Sequence, residues 1–569
     1  MPTWRALGRL QAANASLRAH VRSSARSISA AVSTALVGTW STRGAAFDTV
    51  PRELRTADPT RASQIVEGYI ALGGKTEKLD GRKLFDINPP SEAFAKALHS
   101  FEWLRHLRAY EPDANTLASR AVASRVAREH TLNWLHLQRK HPSHAFTPLM
   151  AARRSLSLTN QAAFVFDGAS AQDYETIMAI ILRDTRRAFT HRAQVQDPTD
   201  HCFLVTACAS VAHALSQHIG TKSMTMEALS AVLPKTFHSD GGPKTRCPAD
   251  LALLLPTLLS LQALLTVRRS PQPPQLGRSI NQSMTMLRQL RHPDGTVARF
   301  HGTTSLLAYE SDLVATVLTY DTQRKDLPIL APDSGFGRLQ AGPSLVLMDC
   351  GSAPPASAAR QAHAGALAFE WSVGTTKIIT NSAEIGYSVD ADLWEQRTTR
   401  AQSTLVAAGL SSALLSSREP DAFLQGGLNV SVAPPPTDTS LRLSAQHSGY
   451  RQRLGVDHAR SLQLADDGST LEGDDRLLLA SGEMAQNGRT PYALYFQLQP
   501  GAQITREGDQ SVQIKVRGQT VRFEADTGHI AIEDPTNRPT YRGAARALRM
   551  VVHSPSTGPA QIKWRFSVQ

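Results

Sequence analysis

Cysteine is scarce: four residues in 569 (Cys202, Cys208, Cys247, Cys350), none in a CxxC pair. That scatter suggests neither a zinc ribbon nor a disulfide scaffold. Long apolar runs are missing as well. No stretch of about 18 consecutive apolar residues is found, so no transmembrane helix is expected. The N-terminal segment is basic (Arg5, Arg9, Arg18, Arg22, Arg26) but lacks the continuous apolar core, roughly 7–15 residues, of a signal peptide. Residues 27–37 imitate one poorly, and export is not indicated by the sequence itself. There is no block of five consecutive Lys or Arg and no nucleic-acid-binding signature, so nucleic acid is not an expected partner. No internal repeat is visible.

What is present points to a large globular chain. At 569 residues the length exceeds one ordinary core, and two domains are the default. Hydrophobic residues make up 41% and charged residues 19%, a globular rather than disordered balance. The formal net charge of +12 favours an acidic partner such as a uronate polymer, nucleic acid or anionic lipid; the plainer reading is an arginine-rich surface.

The pattern divides the chain in two. Residues 1–43 read as helical, and 40–88 as a polar connection dotted with glycine. Pro89-Pro90 then launches a helix over 91–109, with Phe94, Leu98, Phe101, Leu104 and Leu107 at helical spacing. Helices are expected over 115–138, 146–165, 171–191, 201–218, 224–233, 249–268 and 277–291. The 251–265 stretch is apolar nearly all round and reads as an inner helix. Residues 292–300 read as a turn and strand, and 327–332 as a linker, placing the domains at 1–325 and 326–569. From Gly337 onward, short strands separated by glycine turns predict a large antiparallel sandwich. Pro434-Pro435-Pro436 reads as a surface loop. The most informative strand covers 366–373. Leu367, Phe369, Trp371 and Val373 fall on one face and Ala368, Glu370 and Ser372 on the other, the alternation of a half-buried strand.

Several segments resemble one family. HAGALAFEWSVGTTKIITN (363–381), RTTRAQSTLV (397–406), HSGY (447–450) and LEGDDRL (471–477) are similar, in order and spacing, to the C-terminal sheet domain of the heparinase II/III-type polysaccharide lyases. FDINPPSEAFAKALHSFEWLRHLRA (85–109) resembles the N-terminal part of the same family. The resemblance implies an incomplete (α/α) toroid followed by an antiparallel β-sandwich, with the site between them. It also implies a carbon–oxygen lyase that cleaves an acidic, uronate-containing polysaccharide by β-elimination, located in the cell envelope or periplasm; a cytoplasmic location is the other expectation. Such a reaction neutralises the sugar carboxylate, removes the C5 proton and protonates the leaving O4 oxygen.

In that family the helical domain supplies an Asn-His pair and a Tyr, and the sheet domain supplies histidines and a Tyr. Here Asp200-His201 stands at the Asn-His place, making His201 the leading candidate base on that side. The plainer reading makes Asp200 a helix N-cap and His201 a first-turn surface residue. The Asp240-Gly241-Gly242 turn leads to Asp250 where the family has its Tyr, although Asp250 is more simply a helix N-terminal charge. On the sheet side His363 matches the second histidine of His-x-His-Ala-Asp, while Gln361 and Gly365 replace the first histidine and the acid. Gln402 replaces another histidine, and Asn381 falls where an acidic ligand can occur. Some relatives hold a structural zinc there, but one His with Asn and Gln is a weak donor set, and no metal or other cofactor is expected. Tyr387 is the candidate proton donor. Arg397 and Arg400 are candidate forks for a carboxylate or sulfate, or else exposed strand arginines. Tyr450 reads as a sheet-corner packing residue. Two further readings stay open: a non-catalytic member that binds an anionic envelope glycan, and a glycan hydrolase using Asp200 and Asp250 as paired carboxylates.

Overall fold

The computed structural model describes residues 45–111, 116–136, 143–216, 219–303, 310–322, 326–381, 395–415, 423–424, 428–434, 440–534, 538–540, 543–545 and 547–569. The helix expected over 1–43 lies outside them. So does Tyr387.

A helical domain comes first and two antiparallel sheets follow, the architecture that the sequence predicts. Helices span Thr116–His136, Pro148–Asn160, Ala171–Thr190, Pro198–Ala214, Ile219–Thr236, Ala249–Val267 and Pro274–Gln289, close to the expected ranges. The helix expected over 91–109 is broken into Glu92–Ser100 and Leu104–Leu107. Phe101 takes the left-handed conformation (φ 61°) at the break, and Trp103 Nε1 donates to the Leu98 carbonyl. The connection before it holds a small hairpin, Tyr69–Leu72 with Lys75–Lys78, that composition alone does not reveal. Residues 292–300 form a turn closed by His292 N–H to the Thr296 carbonyl, with a single bridge between Arg291 and Val297 in place of the expected strand.

The Ala249–Val267 helix is the inner helix expected from the apolar 251–265 stretch. Among the described residues it is the one helix long and apolar enough to cross a membrane, judged by length and composition. It lies within the helical core, where Leu251, Leu254, Leu255, Leu258 and Leu261 are fully buried.

The nine-stranded sheet begins with Leu330–Ala331, Phe336–Ala341, Ser344–Asp349, Phe369–Val373 and Thr376–Thr380, then continues through Tyr492–Leu498 and Arg549–His553 to His529–Glu533. Leu405–Ala407 also pairs with Tyr492–Leu498. The eight-stranded sheet runs from Val430–Val432 through Leu441–His447, Val456–Leu464 and Thr470–Leu479 to Gln561–Val568, then Gln519–Ala525, Ser511–Val516 and Gln503–Arg506.

The nine-stranded sheet is the middle layer of three. On Ser344–Asp349 every residue is buried: Leu345 and Leu347 join the helical core, while Val346 and Met348 join the core between the sheets. The same layering corrects the expectation of a half-buried strand at 366–373. Leu367, Phe369, Trp371 and Val373 do fill the inter-sheet core, but Glu370 and Ser372 are also buried, because the end of the helical domain covers them. His292 Nε2 donates to Glu370 (2.8 Å) and His292 Nδ1 lies 2.6 Å from Ser372 Oγ. The Glu370 carboxylate also accepts from Arg299 N–H (3.2 Å), Thr380 Oγ1 (3.0 Å) and Asn381 N–H (3.0 Å). A buried carboxylate is tolerable only when its lone pairs are satisfied in this way.

Two further clamps hold the layers. In the Asp240-Gly241-Gly242 turn, Asp240 Oδ2 accepts from the Asp333 and Ser334 N–H groups and from Ser334 Oγ. Gly241 (φ 87°) packs so closely on the Gln282 carbonyl that a Cβ would stand 2.2 Å from it, which requires glycine. Deeper in the sandwich Asp475 accepts from Arg460, His458 Nε2 (2.7 Å) and Trp564 Nε1 (2.8 Å). Arg460 Nη1 then donates to the carbonyls of Leu367 (2.8 Å) and Ser403 (2.9 Å), fixing the turns that carry His363 and Gln402.

Candidate functional site

The Pro198–Ala214 helix opens with Asp197, not Asp200, as its N-cap. Pro198 presets the first turn, and Asp197 Oδ1 accepts from the Thr199 (2.9 Å) and Asp200 (3.1 Å) N–H groups. Asp200 is therefore one turn inside the helix. Its Oδ1 stands 3.7 Å from Arg153 Nη2, at the end of an alternating chain of charges that continues through Glu102 and Arg55 to Glu53. His201 is half-buried. Burial lowers its pKa, and the charges of Arg192 and Lys235 add to that.

Asp250 occupies the first turn of the Ala249–Val267 helix but is only 5% exposed. Its Oδ2 accepts from Thr199 Oγ1 (2.6 Å) and Thr245 Oγ1. Burial pushes its pKa up to about 7 against those two bonds, and the charges of Asp197 and Asp200 push it the same way. Burial and Asp200 likewise raise Asp197 to about 6. Three carboxyl groups thus share this corner of the helical domain.

A loop carries the site across to the sheets. Thr303 Oγ1 accepts from Ala249 N–H (3.3 Å) and lies 3.6 Å from Cys247 Sγ. Two residues earlier, His301 adopts φ 49°. Its Nδ1 accepts from the His363 N–H (3.2 Å), and its Nε2 lies 3.1 Å from Asp349 Oδ2. Asp349 is bonded in turn by Arg246 of the helical domain. Although burial opposes it, the Arg246 charge and the His301 contact hold the Asp349 carboxyl down at about 2. His301, Asp349 and Arg246 are functional-site neighbours that the sequence reading does not single out. Only the tertiary contact across the domain boundary identifies them.

His363 is 3% exposed. Its Nδ1 is 3.5 Å from Gln402 Nε2, and its Nε2 has no hydrogen-bond partner. Burial, with His301 and Arg397 nearby, drives its pKa well below the ordinary value, so the ring is neutral near pH 7. Gln361 packs against Gly302, and its Oε1 is unpartnered. Gln402 Nε2 donates mainly to the Gln396 carbonyl (2.7 Å). Asn381 Oδ1 accepts from the Ser403 N–H, a strand-locking role. Among the described residues, no three His, Cys, Asp or Glu side chains converge as a metal site.

The two arginines expected as carboxylate forks are placed differently. Arg397 is buried and donates from Nε to the Ala362 carbonyl (3.0 Å) and from Nη2 to the Ala359 carbonyl (2.7 Å), bracing the turn before His363. Arg400 is half-exposed in a separate cluster, over the Tyr495 ring and 4.0 Å from Glu533. Tyr450 is fully buried and donates to the Leu405 carbonyl (2.9 Å), a sheet-corner role. The structure therefore gathers Asp250, Cys247, Thr303, His301, His363 and Gln361 along one seam, with Asp200 beside Asp250. Arg400 is not part of it.

Comparison with known proteins bears on the fold. Residues 323–565 match the heparinase II/III-like C-terminal family. A curated relative, the FtsZ-localized protein C of Caulobacter vibrioides, is 27% identical over 538 residues, covering 91% of this chain and 89% of that protein. Among solved structures, a heparinase III has a TM-score of 0.68 at 11% identity, covering 90% of this chain and 85% of its own. The heparan sulfate lyase HepC of Pedobacter heparinus has a TM-score of 0.57 at 14% identity, covering 90% and 83%. At those identities the solved structures establish a shared fold. The C-terminal domain thus matches the heparinase II/III-like family, and the heparinase III fold extends over nine-tenths of the chain.

Proposed function

We propose that this chain binds an acidic, uronate-bearing polysaccharide along the seam between the helical domain and the sheets, as a family member that retains the site without its usual proton donor. The observation that carries this reading is Asp250. At the family's tyrosine place stands a buried carboxyl group, spent on two threonine hydroxyls. Arg397, offered by the sequence as a carboxylate fork, is spent on backbone carbonyls. The net charge of +12 supports attraction of a polyanion that weakens with salt. The Caulobacter vibrioides relative is named for localisation with FtsZ, not for cleavage, which also favours the binding reading.

β-Elimination is the second reading, and His363 favours it. A neutral imidazole beside a His301–Asp349 pair keeps one basic ring nitrogen, the group that abstraction of a C5 proton requires. Tyr387 would be the donor to the leaving oxygen.

One experiment separates the two. The purified chain is incubated with a panel of acidic polysaccharides while absorbance of the unsaturated uronate product is followed. Retention of each polymer is measured in parallel by affinity electrophoresis. Salt-sensitive retention without absorbance establishes binding. An absorbance rise lost in His363→Ala and Tyr387→Phe establishes the lyase. Absence of both sinks the polysaccharide reading altogether. Location belongs to the same proposal: an envelope or periplasmic site goes with a glycan ligand, and cell fractionation tests it against a cytoplasmic one.

A further inference from the structure

A second cavity, of about 410 Å³, lies wholly within the helical domain, with every lining residue between Val50 and Phe164. No sheet residue contributes to it, so it is separate from the His301–His363 seam. Its size falls within the range of small-molecule sites, roughly 300–1,000 Å³.

Gln161 lies at its wall, between the Pro148–Asn160 and Ala162–Val165 helices. The residue is 2% exposed, yet neither Oε1 nor Nε2 has a hydrogen-bond partner. A buried amide left unpaired at both ends is costly, and native proteins carry few of them. Its neighbour Asn160 donates from Nδ2 to Glu53 Oε2 (3.3 Å), which leaves the Asn160 Oδ1 acceptor unpaired. Glu53 is itself neutralised by Arg55 (2.8 Å). Arg52 and Arg108, both exposed, add positive charge among the lining residues, and Tyr110 and Phe164 provide aromatic surface. Arg120 is engaged with Asp167 (2.9 Å), and exposed Glu111 is the one further acid of the lining.

We infer that this cavity binds a small acidic saccharide, its hydroxyl groups exchanging hydrogen bonds with Gln161 and Asn160 and its carboxylate meeting Arg52 and Arg108. Amides that both donate and accept suit vicinal hydroxyls, aromatic rings suit the apolar face of a pyranose, and guanidinium groups suit a carboxylate. Because no cleft residue takes part, this inference stands or falls apart from the polysaccharide reading.

The test is isothermal titration of the full chain with D-glucuronate, using D-glucose as the neutral control. The wild type is expected to bind glucuronate more tightly than glucose. Gln161→Leu, close in shape but unable to hydrogen-bond, should weaken glucuronate by about tenfold or more while its melting temperature holds or rises, since an unpaired polar group is removed. Arg108→Ala should erase the preference for glucuronate over glucose without changing the glucose affinity. The inference is overturned if the wild type binds no glucuronate, or if Gln161→Leu binds it as well as the wild type. Should Gln161→Leu fail to fold, an undiminished glucuronate preference in Arg108→Ala overturns it instead. Glucuronate binding that survives while polysaccharide retention is absent would sink the cleft reading alone.

Discussion

Replacing Asp250 by Asn tests the account of the helical side of the site. The carboxyl group is 5% exposed, takes its hydrogen bonds from the hydroxyls of Thr199 and Thr245, and faces the charges of Asp197 and Asp200. Burial is the largest influence and raises its pKa from 3.8 to about 7, while the hydroxyls of Thr199 and Thr245 pull the other way. An acid whose folded value lies above its unfolded one holds a proton in the fold that it releases on unfolding. Its contribution to stability therefore falls as pH rises from about 4 to about 7 and is level above that. A rise of this size corresponds to about 4 kcal/mol at pH 8. Asn keeps an oxygen for the two hydroxyls and never ionises. Urea unfolding followed by far-ultraviolet circular dichroism should show the variant close to the wild type at pH 4 and more stable at pH 8, by an amount of order 2–4 kcal/mol. If Asp250→Asn is instead less stable at pH 8 than at pH 4 relative to the wild type, the ionised carboxylate has a cationic partner. The argument from burial would then be refuted.

Other perturbations probe the frame. Truncating Glu370 to Ala strips His292, Thr380 and two backbone N–H groups of their acceptor, and breaking such a buried cluster costs about 3–5 kcal/mol; an unchanged urea midpoint would contradict the clamp. Burial alone would raise the Glu370 pKa, but Lys377 and His292 outweigh it and bring it to about 2, below 4.5. Its contribution is therefore complete above about pH 4.5 and lost as pH falls towards 2, which acid titration of the wild type against a Glu370→Gln variant can follow. Gly473→Ala would set a Cβ 2.0 Å from Trp564 Cζ2, in a cluster with Phe369, Phe496 and Phe566. Overpacking of that kind costs roughly 1–3 kcal/mol, and a urea midpoint equal to the wild type would show that the ring can move aside. All four cysteines are buried, with burial pushing Cys202 up to about 11 and Cys208 to about 12. A thiol reagent at pH 8 should leave the native chain unlabelled and titrate all four only in denaturant; rapid native labelling would show local opening.

Much of the fold was legible in the chain because its signals are local. The apolar spacing of 251–265 marks an inner helix wherever that helix packs. The alternation at 366–373 marks a strand. LEGDDRL can be understood residue by residue: Leu471 and Leu477 fill the inter-sheet core, Gly473 makes room for Trp564, and Asp475 gathers Arg460, His458 and Trp564. The segments that carried the family resemblance are thus largely those that build the sandwich, and for that reason they specify a fold better than a reaction.

The site was less legible. Sequence singles out Asp200, His201, Asp250, His363 and Arg397 as candidates, but what each side chain meets depends on elements far away along the chain. Asp197 takes the cap, and Arg397 is drawn onto two carbonyls of the turn before His363, more than 30 residues away. His301 pairs with Asp349 from a loop that shows no local pattern. Even the half-buried strand becomes fully buried once helices cover its polar face, because burial is a property of the layer above and not of the alternation within. Periodicity and turn chemistry act over a few residues, so the sequence by itself determined the order of helices, the strands and the turns between them. Convergence of charged and hydrogen-bonding groups requires contacts between distant segments, so only the tertiary structure decided which polar residues share the seam, which are spent in holding it together, and which stand in an unsatisfied pocket of their own.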